Sequence, residues 1–423
     1  MKPLLVALLI AGICSYTLSV NAAPCDSLQQ YLDQANYFKL RAALEDPNCK
    51  ANALFKSYCE VFVHNAFNQN LQSITLADSL LHIPNVKLDN KQKASLWELL
   101  IDNYSKTYDY RKAAESGDTI ELKYPKVVDN LEDVKNTNKI WHALADVAPQ
   151  TVEQTTDVIV PIHKDIAGLW NITVATGDVT DDFIFDTGAN ISTVTESTAK
   201  HMGIKKLNIE LNVSGIQGLD VKSDLGVADE LKIGDVTLHN VVFLIMPDES
   251  FNFPQANYSI NGILGYPVIN ALKEVRISKK GTLEIPLIRS ESTLSNLALD
   301  GLFPMINMVA ENDTLVFHFD TGAKTSDLYS PYFRLHKKDI VRDGAKKNVS
   351  LGGAGGFAKI PSYELRDFKF HIGGQLVMLK YITVFSEPVK DSKELVYGNI
   401  GQDIIGQFDE MIINFQNMFV AFK

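Results

Sequence analysis

Phe183-Ile184-Phe185-Asp186-Thr187-Gly188-Ala189 is the stretch whose reading decides the fold. Three apolar residues run into an acid, a small hydroxyl residue and a glycine. The same order returns as Val316-Phe317-His318-Phe319-Asp320-Thr321-Gly322-Ala323, with its aspartate 134 residues further on. At about 5–7% usage for each residue type, one Asp-Thr-Gly by chance in a chain of 423 residues is roughly a one-in-ten event. A single copy reads as no more than a turn, because all three residues are turn formers.

What surrounds the two copies is also repeated. Asn261-Gly262-Ile263-Leu264-Gly265 follows the first, and Gly398-Asn399-Ile400-Gly401 follows the second at nearly the same distance. Between these landmarks lie two glycine-rich hairpin candidates, Gly215-Ile216-Gln217-Gly218 and Gly352-Gly353-Ala354-Gly355-Gly356. Each is followed by a strand-turn-strand pattern, Leu231–Gly234 before Val241–Ile245 and Phe370–Gly374 before Tyr381–Val384. After the second glycine of each copy come a short helical piece and a closing pair of strands. A whole subdomain is repeated.

Paired Asp-Thr-Gly-Ala motifs, each with a flap and a downstream apolar-apolar-Gly, resemble the aspartic proteases, and the short repeats resemble their retropepsin-like branch. The resemblance covers about residues 157 to 423. It implies an all-β, bilobal aspartic-protease (pepsin/retropepsin-like) fold there, which follows the α-helical N-terminal domain that residue periodicity indicates. It also implies an aspartic endopeptidase whose substrate is a peptide or protein. Asp186 and Asp320 match the catalytic positions, and Thr187, Gly188, Thr321 and Gly322 match the residues that hold the two loops. Gly215, Ile216, Gln217 and Gly218 in one lobe, and Gly353, Ala354 and Gly355 in the other, match flaps that would pair with an extended substrate as added strands do.

The residue types suit that chemistry. Two carboxylates close together do not both ionise, so one keeps a proton while the other serves as a base. The charged one deprotonates water, and the protonated one stabilises the developing oxyanion. No cofactor is needed, no Cys or His pair has metal-ligand spacing, and there is no His-Glu-x-x-His. A non-catalytic peptide-binding protein on the same scaffold is the competing reading.

The chain departs from the family pattern in places. Retropepsins have an acid two residues after the glycine, and Asn190 and Lys324 stand there. Tyr266 and Gln402 replace the arginine of the viral enzymes, and Asn399 replaces an apolar residue. Lys324 either points inward and lowers the pKa values of the pair, or faces solvent.

The remaining sequence sets the context. Met1-Lys2, an apolar run from Leu4 to Ile13 and Val20-Asn21-Ala22-Ala23 read as a secretory signal peptide over 1–22. The run is too short for a membrane anchor. An exported protein, periplasmic or secreted, is expected; a lipoprotein fits less well because bulky Ile13 precedes Cys14. Beyond the signal stand Cys25, Cys49 and Cys59, which allow one disulfide in three pairings. A formal charge of −11 argues against nucleic acid as a partner.

Residues 23–150 read as a helical domain with a loose tetratricopeptide-like character. One helix is expected over Leu28, Leu32, Ala35 and Phe38, and others over 51–68, 71–82, 91–108 and 131–146. This region is a packing domain, a docking surface for a protein partner, or a masking segment. Lobes are expected at 151–290 and 291–423, joined around 287–302.

Overall fold

The computed structural model describes residues 27–423 apart from 84–86, 208, 210, 215–219, 354–355 and 389–394. The signal segment and the first flap, Gly215 to Gly218, lie outside the described residues, as do Ala354 and Gly355 of the second.

The N-terminal region consists of α1 (Leu28–Asp33), α2 (Tyr37–Glu45), α3 (Ala53–Ala66), α4 (Asn70–His82), α5 (Asn90–Lys106), α6 (Tyr110–Lys123) and α7 (Leu131–Leu144). The single helix expected over 28–38 is two. Ala35 adopts a left-handed φ of 49°, and the Asn36 side chain accepts a hydrogen bond from Lys39 N to begin α2. Helix α6 was not expected, because Gly117 at its centre reads as punctuation. That glycine is where α7 comes closest, since a Cβ there would collide with the buried Asn138 side chain. Asn138 Nδ2 donates to Asp118 Oδ1 at 2.9 Å and Glu121 Oε1 at 3.1 Å. Gly117→Ala should therefore lower the melting temperature. The helix-propensity gain is about 1 kcal/mol, against about 1–3 kcal/mol for overpacking. A thermal melt of the variant checks the sign.

Strand composition takes over at Thr151. The first lobe runs β1 (Thr151–Glu153), β2 (Val158–Lys164), β3 (Trp170–Thr176), β4 (Val179–Phe185), β5 (Ser192–Thr195), α8 (Glu196–His201), β6 (Lys205–Lys206), β7 (Leu211–Ser214), β8 (Asp220–Ile233) and β9 (Val236–Met246). It continues with β10 (Asn252–Phe253), β11 (Tyr258–Ser259), β12 (Gly262–Leu264), α9 (Tyr266–Ala271), β13 (Glu274–Ser278) and β14 (Thr282–Ile285). The second lobe runs β15 (Leu297–Asp300), β16 (Phe303–Ala310), β17 (Asp313–Phe319), β18 (Asp327–Leu328), α10 (Ser330–Asp343), β19 (Ala345–Gly353), β20 (Gly356–Ile372), β21 (Gln375–Phe385), β22 (Gly398–Ile400), α11 (Gln402–Ile405), β23 (Glu410–Asn414) and β24 (Phe419–Phe422). A Thr195 cap opens α8, and Gly203 follows it with φ +67°.

The two copies share one topology. In the first, β12 lies parallel to β4 and antiparallel to β5. In the second, β22 lies parallel to β17 and antiparallel to β18. The second sheet is ordered β15-β16-β17-β22-β18-β21-β20-β19. The last two strands, β23 and β24, return to the first lobe's sheet, where β23 pairs antiparallel with β13.

The helices are not loosely tethered. Leu28, Leu40, Ala43, Cys59 and Val63 share a core with the strands of both lobes, and Tyr110, Trp141 and Leu144 pack with Leu211 and Leu225 of β7 and β8. Polar ties include Asn68 Nδ2 to Asn270 Oδ1 at 2.9 Å and Tyr108 Oη to the Pro267 carbonyl at 2.8 Å. Among the described residues no helix is long and apolar enough to cross a membrane. Cys49 is disulfide-bonded to a partner outside the described residues, while Cys59 is a free, buried thiol whose pKa burial pushes up to about 12. The pairings that use Cys59 are thereby removed.

Candidate active site

Each Asp-Thr-Gly sits where a buried strand ends. β4 finishes in Phe183-Ile184-Phe185 and β17 in Phe317-His318-Phe319, and both phenylalanines of each strand are fully buried. The strand fixes the height of the acid that follows. Asp186 N donates to the Leu264 carbonyl and Asp320 N to the Ile400 carbonyl, each at 3.0 Å.

The two loops are locked to each other by their threonines. Thr187 N donates to Thr321 Oγ1 at 3.0 Å, and Thr321 N to Thr187 Oγ1 at 3.1 Å. Thr187 Oγ1 in turn donates to the Phe319 carbonyl at 2.7 Å, and Thr321 Oγ1 to the Phe185 carbonyl at 2.8 Å. Both side chains are fully buried, so every donor and acceptor is matched inside the protein. This reciprocal set brings the two carboxyls together within one chain.

The glycines are required for that approach. A methyl group at Gly188 would stand 2.7 Å from Asp320 Cγ, and one at Gly322 would be nearer still to Asp186 Cγ. Without side chains, Gly188 N donates to Asp186 Oδ1 at 2.7 Å and Gly322 N to Asp320 Oδ1 at 2.9 Å. Residues that sequence reasoning passed over complete the frame. Ser192 Oγ accepts from Gly265 N at 3.0 Å, and Ser326 Oγ from Gly401 N at 2.9 Å. Gln402, which stands where the viral enzymes have arginine, also joins the frame: its Nε2 donates to the Thr321 carbonyl at 2.8 Å. The repeated spacing of Ser192 and Ser326, six residues after each aspartate, was the available signal.

Burial raises the pKa of both acids. Asp186 is raised further, because the Asp320 charge and their mutual hydrogen bond add to burial. Asp320 is held back by hydrogen bonds from Asp186, Asn399 and the Gly322 and Ala323 amides. Asn399 Nδ2 donates to Asp320 Oδ2 at 3.2 Å. The matching position in the first lobe is Ile263, which has no such group. The pair titrates as a unit, and the Asn399 amide favours the charge on the Asp320 side.

Asn190 and Lys324 are both exposed, so of the two orientations for Lys324 the structure has the solvent-facing one. Gly353 ends β19 and pairs with Gly356 across the tip of the second hairpin. A cavity of about 250 Å³ lined by Lys164, Trp170, Lys279 and Phe408, among others, contains none of the candidate site residues.

Residues 172–268 match the family model described as aspartyl protease, a stretch holding Asp186 and Gly265. No curated protein matches the chain. Among solved structures, the crystal structure of a retropepsin-like aspartic protease from Rickettsia conorii aligns at 19% identity and a TM-score of 0.23, over 31% of this chain and 99% of that one.

Proposed function

We propose that this chain, whose residues 172–268 match the aspartyl protease family, is an exported aspartic endopeptidase with Asp186 and Asp320 of one chain as its catalytic pair. The observation that carries the reading is the reciprocal threonine lock, which sets the two carboxyls face to face. A peptide-binding protein has no use for so exacting an arrangement of acids.

In this reading Asp320, charged and steadied by the Asn399 amide, takes a proton from the attacking water. Asp186 donates its proton to the carbonyl oxygen as negative charge develops there; on collapse of the tetrahedral intermediate Asp320 passes the proton it took from water to the leaving nitrogen, and Asp186 recovers its own from the hydroxyl as the C–N bond breaks. The hairpins at 211–233 and 345–372 close over the substrate. Export is supported by the sequence of residues 1–22 and by the Cys49 disulfide, which an oxidising compartment favours.

The pH profile tests this directly. Activity requires one proton on the pair, so it falls as pH rises through the higher of the two pKa values and again when acid protonates the second carboxyl. Because Asp186 lies well above the ordinary 3.8, the alkaline limb should lie well above the usual carboxylate range. Statine-type peptides, which place a hydroxyl between the carboxyls, should inhibit. A peptidase activity abolished by chelators or thiol reagents, and indifferent to statine peptides, would sink the reading.

A further inference from the structure

The two halves of the candidate cleft differ at matched positions. Residues in register on neighbouring strands share a face of the sheet. In the first lobe the register joins Ile184, Ile263 and Thr193 on β4, β12 and β5. In the second it joins His318, Asn399 and Asp327 on β17, β22 and β18. Asn399 fixes which face this is, because its amide reaches Asp320 Oδ2. Two isoleucines and a threonine thus underlie the Asp186 side, and an imidazole, an amide and a carboxyl the Asp320 side.

The polar row is short of donors and of positive charge. Asn399 is 8% exposed, and its Oδ1 has no hydrogen-bond partner. Asp327 accepts from Thr383, its register partner on β21. Of the groups around it, Asp403 is a second acid, and Lys347 is engaged by Glu364 at 2.8 Å. His318 packs against the Phe303 ring at 4.2 Å, and burial lowers its pKa to about 4, which leaves it neutral. Burial, with Asp403 adding to it, lifts the Asp327 carboxyl to about 7. A cation arriving from outside would supply what this row lacks.

We propose that Asn399 and Asp327 form a specificity subsite on the Asp320 side of the cleft for a substrate side chain ending in an ammonium or guanidinium, while the Ile184–Ile263 side takes an apolar one. The inference rests on the peptidase reading of the Asp186–Asp320 pair. The amide oxygen and the carboxylate would share the donors of one cationic group. A lysine or arginine within two residues of the scissile bond, on one side only, is the expected recognition feature.

The test uses the full chain and matched peptides that differ only in lysine or norleucine at each position flanking the bond, with cleavage followed by mass spectrometry. Wild-type kcat/KM should favour lysine at one position by about 10- to 100-fold, the factor that a hydrogen bond to a charged group supplies. Asp327→Leu should bring the lysine-to-norleucine ratio close to one or below, and Asp327→Asn, which keeps the shape, should reduce it. Non-cleavable statine-type peptides carrying lysine or norleucine, titrated by calorimetry, read the same ratio without chemistry. Cleavage with no lysine preference, or a ratio unchanged in both variants, overturns the subsite and leaves the peptidase reading intact. A lysine preference in binding without cleavage overturns the peptidase reading and leaves the subsite. Absence of both cleavage and binding overturns the two together.

Discussion

Asp186→Asn and Asp320→Asn should each lower kcat/KM by about 10²–10⁴-fold, the scale of a lost general acid or base, while the protein stays folded. Asparagine preserves the size of the side chain and the amide contacts of Gly188 and Gly322, so the loops stay locked by Thr187 and Thr321. Because the lock joins residues of one chain, mixing the two variants should not restore activity. Restoration on mixing, or an active Asp320→Asn, would replace the intrachain pair by one formed between chains.

The same substitutions should change how stability depends on pH. Both acids have folded pKa values raised above the unfolded ones. Their contribution is therefore fully present below the unfolded value and is lost as pH rises through the folded ones. Asp327 adds a contribution of the same sign, lost up to about pH 7. The wild type should melt higher at mildly acidic pH than at pH 8, and either asparagine variant should narrow the gap. A gap that is unchanged in both variants would show that the pair is not strained by charge.

Lys106→Ala should cost about 3–5 kcal/mol, as expected when one partner of a buried ion pair is removed. The Lys106 side chain is 0% exposed and Asp102 17% exposed, and their charges meet at 2.6 Å. Asn65 bridges them, donating to Asp102 Oδ2 at 2.6 Å while its Oδ1 accepts from Lys106 at 3.3 Å. Asp300 lies beside this pair at the start of the second lobe, and its pKa is raised by burial and by Asp102. Without Lys106 two carboxylates face each other at the junction of helices and strands. Denaturant unfolding measures the loss, and Lys106→Ala combined with Asp102→Asn should recover part of it. A variant as stable as wild type would mean that solvent reaches the pair.

The candidate site was legible where chemistry demands particular residue types next to one another. An acid that must approach a second acid needs a glycine two residues on, and a loop that must be tied to its twin needs a small hydroxyl side chain. Both constraints are local, so both copies show them. Asn399, His318 and Asp327 carry no such mark. Asn399 stands out only as a polar residue at an apolar position, His318 and Asp327 read as ordinary strand residues, and the three become neighbours only when the distant β22 inserts between β17 and β18. The helical region shows the same divide. The helices with an unbroken apolar period were visible, whereas α6 was hidden by a glycine that serves its neighbour, and the break at Ala35 needed a backbone angle that composition does not reveal.

The return of β23 and β24 to the first lobe sets the order in which the molecule is finished. Glu274 is buried on β13, and Asn414, which donates to it at 2.6 Å, follows 140 residues later. Chains emerge from the ribosome N-terminal end first and tend to fold as they appear. Until residues 410–422 arrive, Val275 and Ile277 stand on a bare sheet edge, the kind of surface that attracts other strands. The first lobe therefore cannot close when its own segment has been made; it waits for the second lobe to be synthesised and to hand back its final hairpin. The frame of Asp320 is also finished late, because Asn399 and Ile400, which hold it, are made shortly before that hairpin.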